Sequence, residues 1–119
     1  MVYNIKVEAN FSSAHNLRHY KGKCEALHGH NWKAEVVAQK DRLDKTGMVL
    51  DFKYLKTKLR RVLEKLDHKY LNNIPYFKKV NPTSENIAKY IYDRLQPHIL
   101  NLKSVTVWES NDSCATYYQ

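Results

Sequence analysis

The stretch Tyr3-Asn4-Ile5-Lys6-Val7-Glu8-Ala9-Asn10-Phe11-Ser12 decides the architecture, because Tyr3, Ile5, Val7, Ala9 and Phe11 alternate with polar residues. Successive side chains of an extended strand point to opposite faces, so a period of two predicts a strand with one buried face. A second run lies from His30 to Gln39, where Trp32, Ala34, Val36 and Ala38 alternate with Lys33 and Glu35. The polar, histidine-containing segment between them, Ser13 to Gly29, reads as a functional loop joining two antiparallel strands.

Beyond a turn around Asp44 to Gly47 the period changes. Phe52, Leu55, Leu59, Val62, Leu63 and Leu66 recur every three or four residues, as one face of a helix requires, and Asp51 is placed to cap its N-terminus. A second helix is predicted from Thr83 or Ser84, with Ile87, Ile91 and Leu95 on one stripe and Pro97 disfavouring its continuation. Ser104–Glu109 and Ala115–Tyr118 read as two short strands around the turn residues Asn111, Asp112 and Ser113. The order ββααββ predicts an α+β fold, with two helices on one face of a four-stranded antiparallel sheet, in a single domain spanning 1–119.

The 20 Lys and Arg against 12 Asp and Glu leave a formal charge of +8, which suits an anionic partner. The basic residues are scattered, with neither a concentrated arm nor a helix-turn-helix or RNA-binding signature, so neither nucleic acid nor membrane is the expected partner. No apolar run is long enough for a signal core or a membrane span, and the expected location is the cytoplasm. Two cysteines, Cys24 and Cys114, cannot build a disulfide framework and are read as thiols, Cys114 as a structural one.

The sharpest chemical feature is His28-Gly29-His30. On an extended backbone, residues two apart share a face and can hold one ion, and neutral imidazole is a good zinc ligand. His15 stands at the end of the first strand and comes beside this pair if the strands run antiparallel. His19 and His98 read as ordinary polar histidines. Cys24 lies four residues before His28; as a fourth ligand it would close a structural site, and as a free thiolate it would leave the position open for catalysis.

Taken together, Phe11–His15, Cys24–His30, Gly47–Phe52, Leu66-Asp67-His68, Asn81–Asn86 and Val107-Trp108-Glu109 resemble the 6-pyruvoyltetrahydropterin synthase and 6-carboxytetrahydropterin synthase family. The likeness spans nearly the whole chain, and the length matches the compact bacterial branch. It implies a tunnelling fold, whose sheets trimerise into a barrel that stacks as a homohexamer, a dimer of trimers. It also implies 7,8-dihydroneopterin triphosphate as substrate, whose phosphates would suit the basic charge.

By position, the resemblance makes His15, His28 and His30 ligands of Zn2+ and Cys24 the catalytic base. Asp67 and His68 become a proton-relay pair, which on residues alone would read as a helix C-terminal histidine. Glu109 becomes the anchor of the pterin edge. Thr83 and Glu85 become pterin neighbours, the same residues being suited to cap a helix and charge its first turn. Glu25 beside Cys24 is either an accessory acid or a solvated loop charge.

The activity expected first is that of 6-carboxy-5,6,7,8-tetrahydropterin synthase, a zinc-dependent lyase that releases acetaldehyde and triphosphate and supplies queuosine and other deazapurines. The alternatives are 6-pyruvoyltetrahydropterin synthase, which stops after triphosphate elimination, and cleavage to 6-hydroxymethyldihydropterin for folate. From a different class comes a zinc-stabilised basic nucleic-acid-binding module, with Cys24 as the fourth ligand.

Overall fold

The computed structural model describes residues 1–22 and 25–118. The chain begins with two long strands, β1 (Tyr3–His15) and β2 (His28–Lys40), paired antiparallel without interruption from Tyr3 opposite Lys40 to His15 opposite His28. Helix α1 (Phe52–Glu64), the two-residue strand β3 (Lys69–Tyr70), a 3-10 turn at Leu71–Asn73, and helices α2 (Pro75–Lys79) and α3 (Ser84–Leu95) come next. Strands β4 (Leu102–Ser110) and β5 (Ser113–Tyr117) close the order. Among the described residues no helix is long and apolar enough to cross a membrane.

The sheet runs β3-β1-β2-β4-β5, and β3 pairs parallel to β1. This corrects the expected four-stranded antiparallel sheet with two helices: among the described residues there are five strands in a mixed sheet and three helices. The cause lies just past α1. His68 adopts a left-handed conformation (φ +55°), which turns the chain against β1, where its N–H donates to the Ser12 carbonyl at 2.6 Å. The Ser12 N–H donates in turn to Asp67 Oδ1 at 2.8 Å, and the Ser13 hydroxyl donates to the Leu66 carbonyl. Lys69 and Tyr70 then fall beside Ser13 and Ala14.

All three helices are explained by local sequence. Asp51 caps α1 by accepting from the Lys53 N–H at 2.8 Å, Thr83 caps α3 by accepting from the Asn86 N–H at 3.1 Å, and Pro75 starts α2 where its missing N–H costs nothing. Leu55, Leu59 and Leu63 of α1 and Ile87, Ile91 and Leu95 of α3 are buried with Trp32, Phe77, Val105 and Val107. Each such leucine is worth about 2–5 kcal/mol against alanine.

The inward row of β1 reads Val7, Phe11, Ser13, His15, and that of β2 reads His30, Trp32, Ala34, Val36, Ala38. The opposite sheet face is polar and pairs with itself across strands. Lys6 meets Glu35 at 3.8 Å, Lys33 meets Glu8 at 3.9 Å, Ser12 donates to Asn31 at 2.7 Å and Gln39 donates to Asn4 at 2.8 Å.

Candidate metal centre

His15 is the last residue of β1 and His28 the first of β2, directly opposite in the ladder, while His30 sits opposite Ser13. The three imidazoles therefore share the helix-covered face at the open end of the core. Their ring centroids lie 4.7, 4.8 and 5.2 Å apart, and one ligand atom from each can be chosen so that all lie within 4.8 Å of one another. Trp32 presents its ring to two of them edge-on, 4.9 Å from His15 and 5.1 Å from His30, and its indole N–H donates to the Ser13 carbonyl at 3.2 Å.

Hydrogen bonding decides the tautomers. His15 Nδ1 lies 2.8 Å from the Pro82 carbonyl and His28 Nδ1 lies 2.9 Å from the Ala26 carbonyl. A carbonyl oxygen only accepts, so both Nδ1 atoms carry the proton and both Nε2 atoms present lone pairs. Those two Nε2 atoms are 3.1 Å apart. Two lone pairs so placed repel unless a proton or a cation lies between them. His30 Nε2 is buried, with no hydrogen-bond partner among the described residues, and lies 3.5 Å from Glu109 Oε1.

Burial holds the pKa of His15 below its ordinary value, a shift opposed by the Pro82 carbonyl, so at neutral pH the ring is in the uncharged form a metal requires. This donor set fits a zinc ion held by three imidazoles. Orientation of a ligand histidine through its second nitrogen is the usual accompaniment of such sites.

The other expected site residues fall into distinct groups. Glu109, on the same face of β4 as Val105 and Val107, joins the histidines. Asp67 and His68 meet each other, Oδ2 to Nδ1 at 3.0 Å, because the left-handed backbone at His68 removes the divergence that neighbouring helical residues would show. Among the described residues their polar contacts are to one another, to Ser12 and to the Leu63 carbonyl, not to the three imidazoles. The Ser12 N–H, chiefly, and then His68 hold the Asp67 carboxyl below the usual carboxylate range.

Thr83 is the N-cap of α3 and Glu85 an exposed residue of its first turn, and among the described residues neither is hydrogen-bonded to the three histidines. Cys24 lies outside the described residues. Glu25 accepts from the Leu17 N–H at 3.1 Å and stands 3.8 Å from His28 Nδ1, so it is tied into the loop rather than freely solvated. Cys114 is an exposed free thiol on β5, which corrects its reading as a structural one.

Sequence reasoning missed the Pro82 and Ala26 carbonyls that orient two ligands. Every residue has a carbonyl, so only the fold could single these out.

The family model described as 6-pyruvoyl tetrahydropterin synthase matches residues 4–119. The 6-carboxy-5,6,7,8-tetrahydropterin synthase of Synechocystis is 41% identical over 120 residues, covering 96% of this chain and 92% of that protein. The dihydroneopterin monophosphate aldolase of Pyrococcus furiosus is 36% identical over 115 residues, covering 94% of each. The solved structure of Caenorhabditis elegans 6-pyruvoyl tetrahydropterin synthase superposes with a TM-score of 0.87 at 27% identity, covering 100% of this chain and 96% of that one. The fold, the histidine cluster and these likenesses agree, and the chain belongs to the 6-pyruvoyl tetrahydropterin synthase family.

Proposed function

We propose that this chain is a 6-carboxy-5,6,7,8-tetrahydropterin synthase, converting 7,8-dihydroneopterin triphosphate to 6-carboxytetrahydropterin with release of acetaldehyde and triphosphate, for queuosine and other deazapurines. The observation that carries the reading is the convergence of His15, His28 and His30, two of them with Nδ1 tied back to carbonyls, in a chain with relatives of that name over nearly its full length, in Synechocystis and Haemophilus influenzae. The three histidines would hold zinc. Bound there, zinc supplies Lewis acidity that polarises the hydroxyl oxygens of the substrate side chain and makes the adjacent C–H bonds acidic.

The remaining work falls to this chain's own groups. Cys24, as a thiolate favoured by nearby positive charge, would take the carbon-bound proton. The Asp67 carboxylate, 3.0 Å from His68 Nδ1, holds the ring in place and leaves Nε2 as the nitrogen at which His68 would exchange protons. Glu109 would accept parallel hydrogen bonds from the pterin's ring N–H and amino group, which sets the pterin edge beside His30. Thr83 and Glu85 would border the pterin from the start of α3. His68 and Asp67 would reach the reaction from a neighbouring copy in a homohexamer, a dimer of trimers, which would also cover the sheet edges left open along β1 and β5.

The proposed reaction balances with one water consumed: the three-carbon side chain becomes one carboxyl carbon and the two carbons of acetaldehyde, and the ring gains the two electrons the side chain loses. The test is incubation of zinc-loaded protein with 7,8-dihydroneopterin triphosphate, followed by identification of the products. Acetaldehyde with 6-carboxytetrahydropterin is expected; triphosphate release without acetaldehyde would sink the assignment in favour of 6-pyruvoyltetrahydropterin synthase. Cleavage to 6-hydroxymethyldihydropterin would align the chain instead with its aldolase-named relative.

A further inference from the structure

The segment just past His15 has left the β1–β2 ladder, yet its backbone is fully partnered. Asn16 donates its N–H to Asn72 Oδ1 at 3.0 Å and its carbonyl accepts from Asn72 Nδ2 at 2.8 Å. Leu17 donates to Glu25 Oε1 at 3.1 Å and accepts from the Glu25 N–H at 2.8 Å. Arg18 donates to Asn81 Oδ1 at 2.9 Å and accepts from Asn81 Nδ2 at 2.9 Å. A side-chain amide offers one acceptor and a donor in a plane, much as a peptide unit does, so Asn72 and Asn81 each replace one rung of the missing strand. Loop backbone is ordinarily left to water; here three consecutive residues are held as a strand would be.

Asn81 has a second connection. It precedes Pro82, whose carbonyl receives the His15 Nδ1 proton. Its own carbonyl accepts from the Thr83 N–H and from Asn86 Nδ2, both at 2.9 Å, which ties it to the start of α3. The dipeptide Asn81-Pro82 thus grips the His15–Arg18 segment at both ends, the ring at one and the backbone at the other.

We infer that Asn81 is a positioning residue for the metal centre: by clamping the Arg18 backbone it holds the Pro82 carbonyl against His15 and keeps the His15 Nε2 lone pair aimed at the metal position. This rests on the metal reading above, but the clamp can be read without a metal. Loss of one amide donor at Asn81 should loosen the His15 ring, not only the loop, because both ends are held by adjacent residues.

The test compares Asn81→Asp, which keeps the size and the acceptor for the Arg18 N–H but loses the donor to its carbonyl, with Asn81→Ala. Asp44→Ala serves as control; it breaks the turn in which Asp44 accepts from Thr46 and Met48, in the connection beyond the opposite end of β2. In metal-free protein, NMR exchange of the His15 Nδ1 proton and of the Arg18 amide should each speed up at least tenfold in Asn81→Asp and stay unchanged in Asp44→Ala. Co2+ affinity, followed by its visible absorption, should fall at least tenfold in Asn81→Asp and Asn81→Ala and not in the control, whatever the melting temperatures. Folded Asn81 variants with wild-type exchange at His15 would overturn the inference, and so would faster exchange with unchanged Co2+ binding. If the wild type takes up no Co2+ in a His28-dependent way, it is the metal reading that fails, and the exchange rates alone then decide whether Asn81 holds His15.

Discussion

Trp32→Phe should unsettle the metal centre without touching a ligand. Trp32 is fully buried, stacks on Phe11 at 5.9 Å, supports the edges of His15 and His30 and donates to the Ser13 carbonyl. Phenylalanine removes the indole N–H and part of the ring. The Ser13 carbonyl keeps its place in the β1–β2 ladder but loses its second donor, which costs about 0.5–1.5 kcal/mol, and the space left by the lost atoms adds about 1 kcal/mol by analogy with other buried deletions. A total of about 2 kcal/mol translates into a melting temperature roughly 10 °C lower for a chain of this size. Thermal melts at one fixed protein concentration, with chelator and then with excess zinc, read both parts of the effect. Zinc should recover less of the loss than it does in wild type, since the rings it binds have lost a wall. A variant melting within about 2 °C of wild type, with undiminished zinc stabilisation, would refute the argument that Trp32 sets the position of the two rings.

Cys24→Ala should retain one zinc per chain and lose turnover; stoichiometric loss of zinc, measured by elemental analysis, would show the thiol to be a fourth ligand and the site structural. His28→Ala should abolish both zinc retention and product formation while leaving the far-UV spectrum intact, and unfolding on metal removal would favour the zinc-stabilised module. Asp67→Asn keeps an acceptor for the Ser12 N–H but withdraws the charge from His68, so kcat should fall at least about tenfold with zinc content unchanged. In metal-free protein the depressed pKa of His15 sets the direction of an acid effect. The unfolded chain takes up its proton first as pH drops below the ordinary value of 6.5, so this contribution to stability is present above that pH and is lost as pH falls towards the lower folded value. Melting curves from pH 8 to 5 should show this loss, and His15→Gln should flatten it.

Much of the fold was legible because its longest elements obey one period each. Ile5, Val7, Ala9 and Phe11 marked β1, Leu55, Leu59 and Leu63 marked α1, and the caps Asp51 and Thr83 stood where expected. Both long strands extend further than the alternation suggested, to His15 and from His28, because the inward row there is made of Ser13 and three histidines. A polar residue facing inward looks like the end of a strand. Strand β3 gave no signal, since two residues cannot display a period, and its pairing depends on the backbone at His68. Of the site, the ligand types and spacing of His28 and His30 were readable from chemistry. The carbonyls behind the rings and the amide rungs at Asn72 and Asn81 were not, because they depend on which loops the tertiary structure brings together.

The unbroken β1–β2 ladder binds the candidate metal ligands and the core to a common count. His15 and Phe11 lie on one row, His30 and Trp32 on its neighbour. A single-residue insertion or deletion inside either strand would rotate the residues beyond it to the opposite face, sending ligands and core residues out together. Length changes in this stretch of chain are therefore confined to its connections. The segment 41–50 can absorb them at one end, while at the other the rungs on residues 16–18 leave little slack. A shift in pairing therefore cannot carry the three clustered histidines off this face without also turning Phe11 and Trp32 out of the core in the same step.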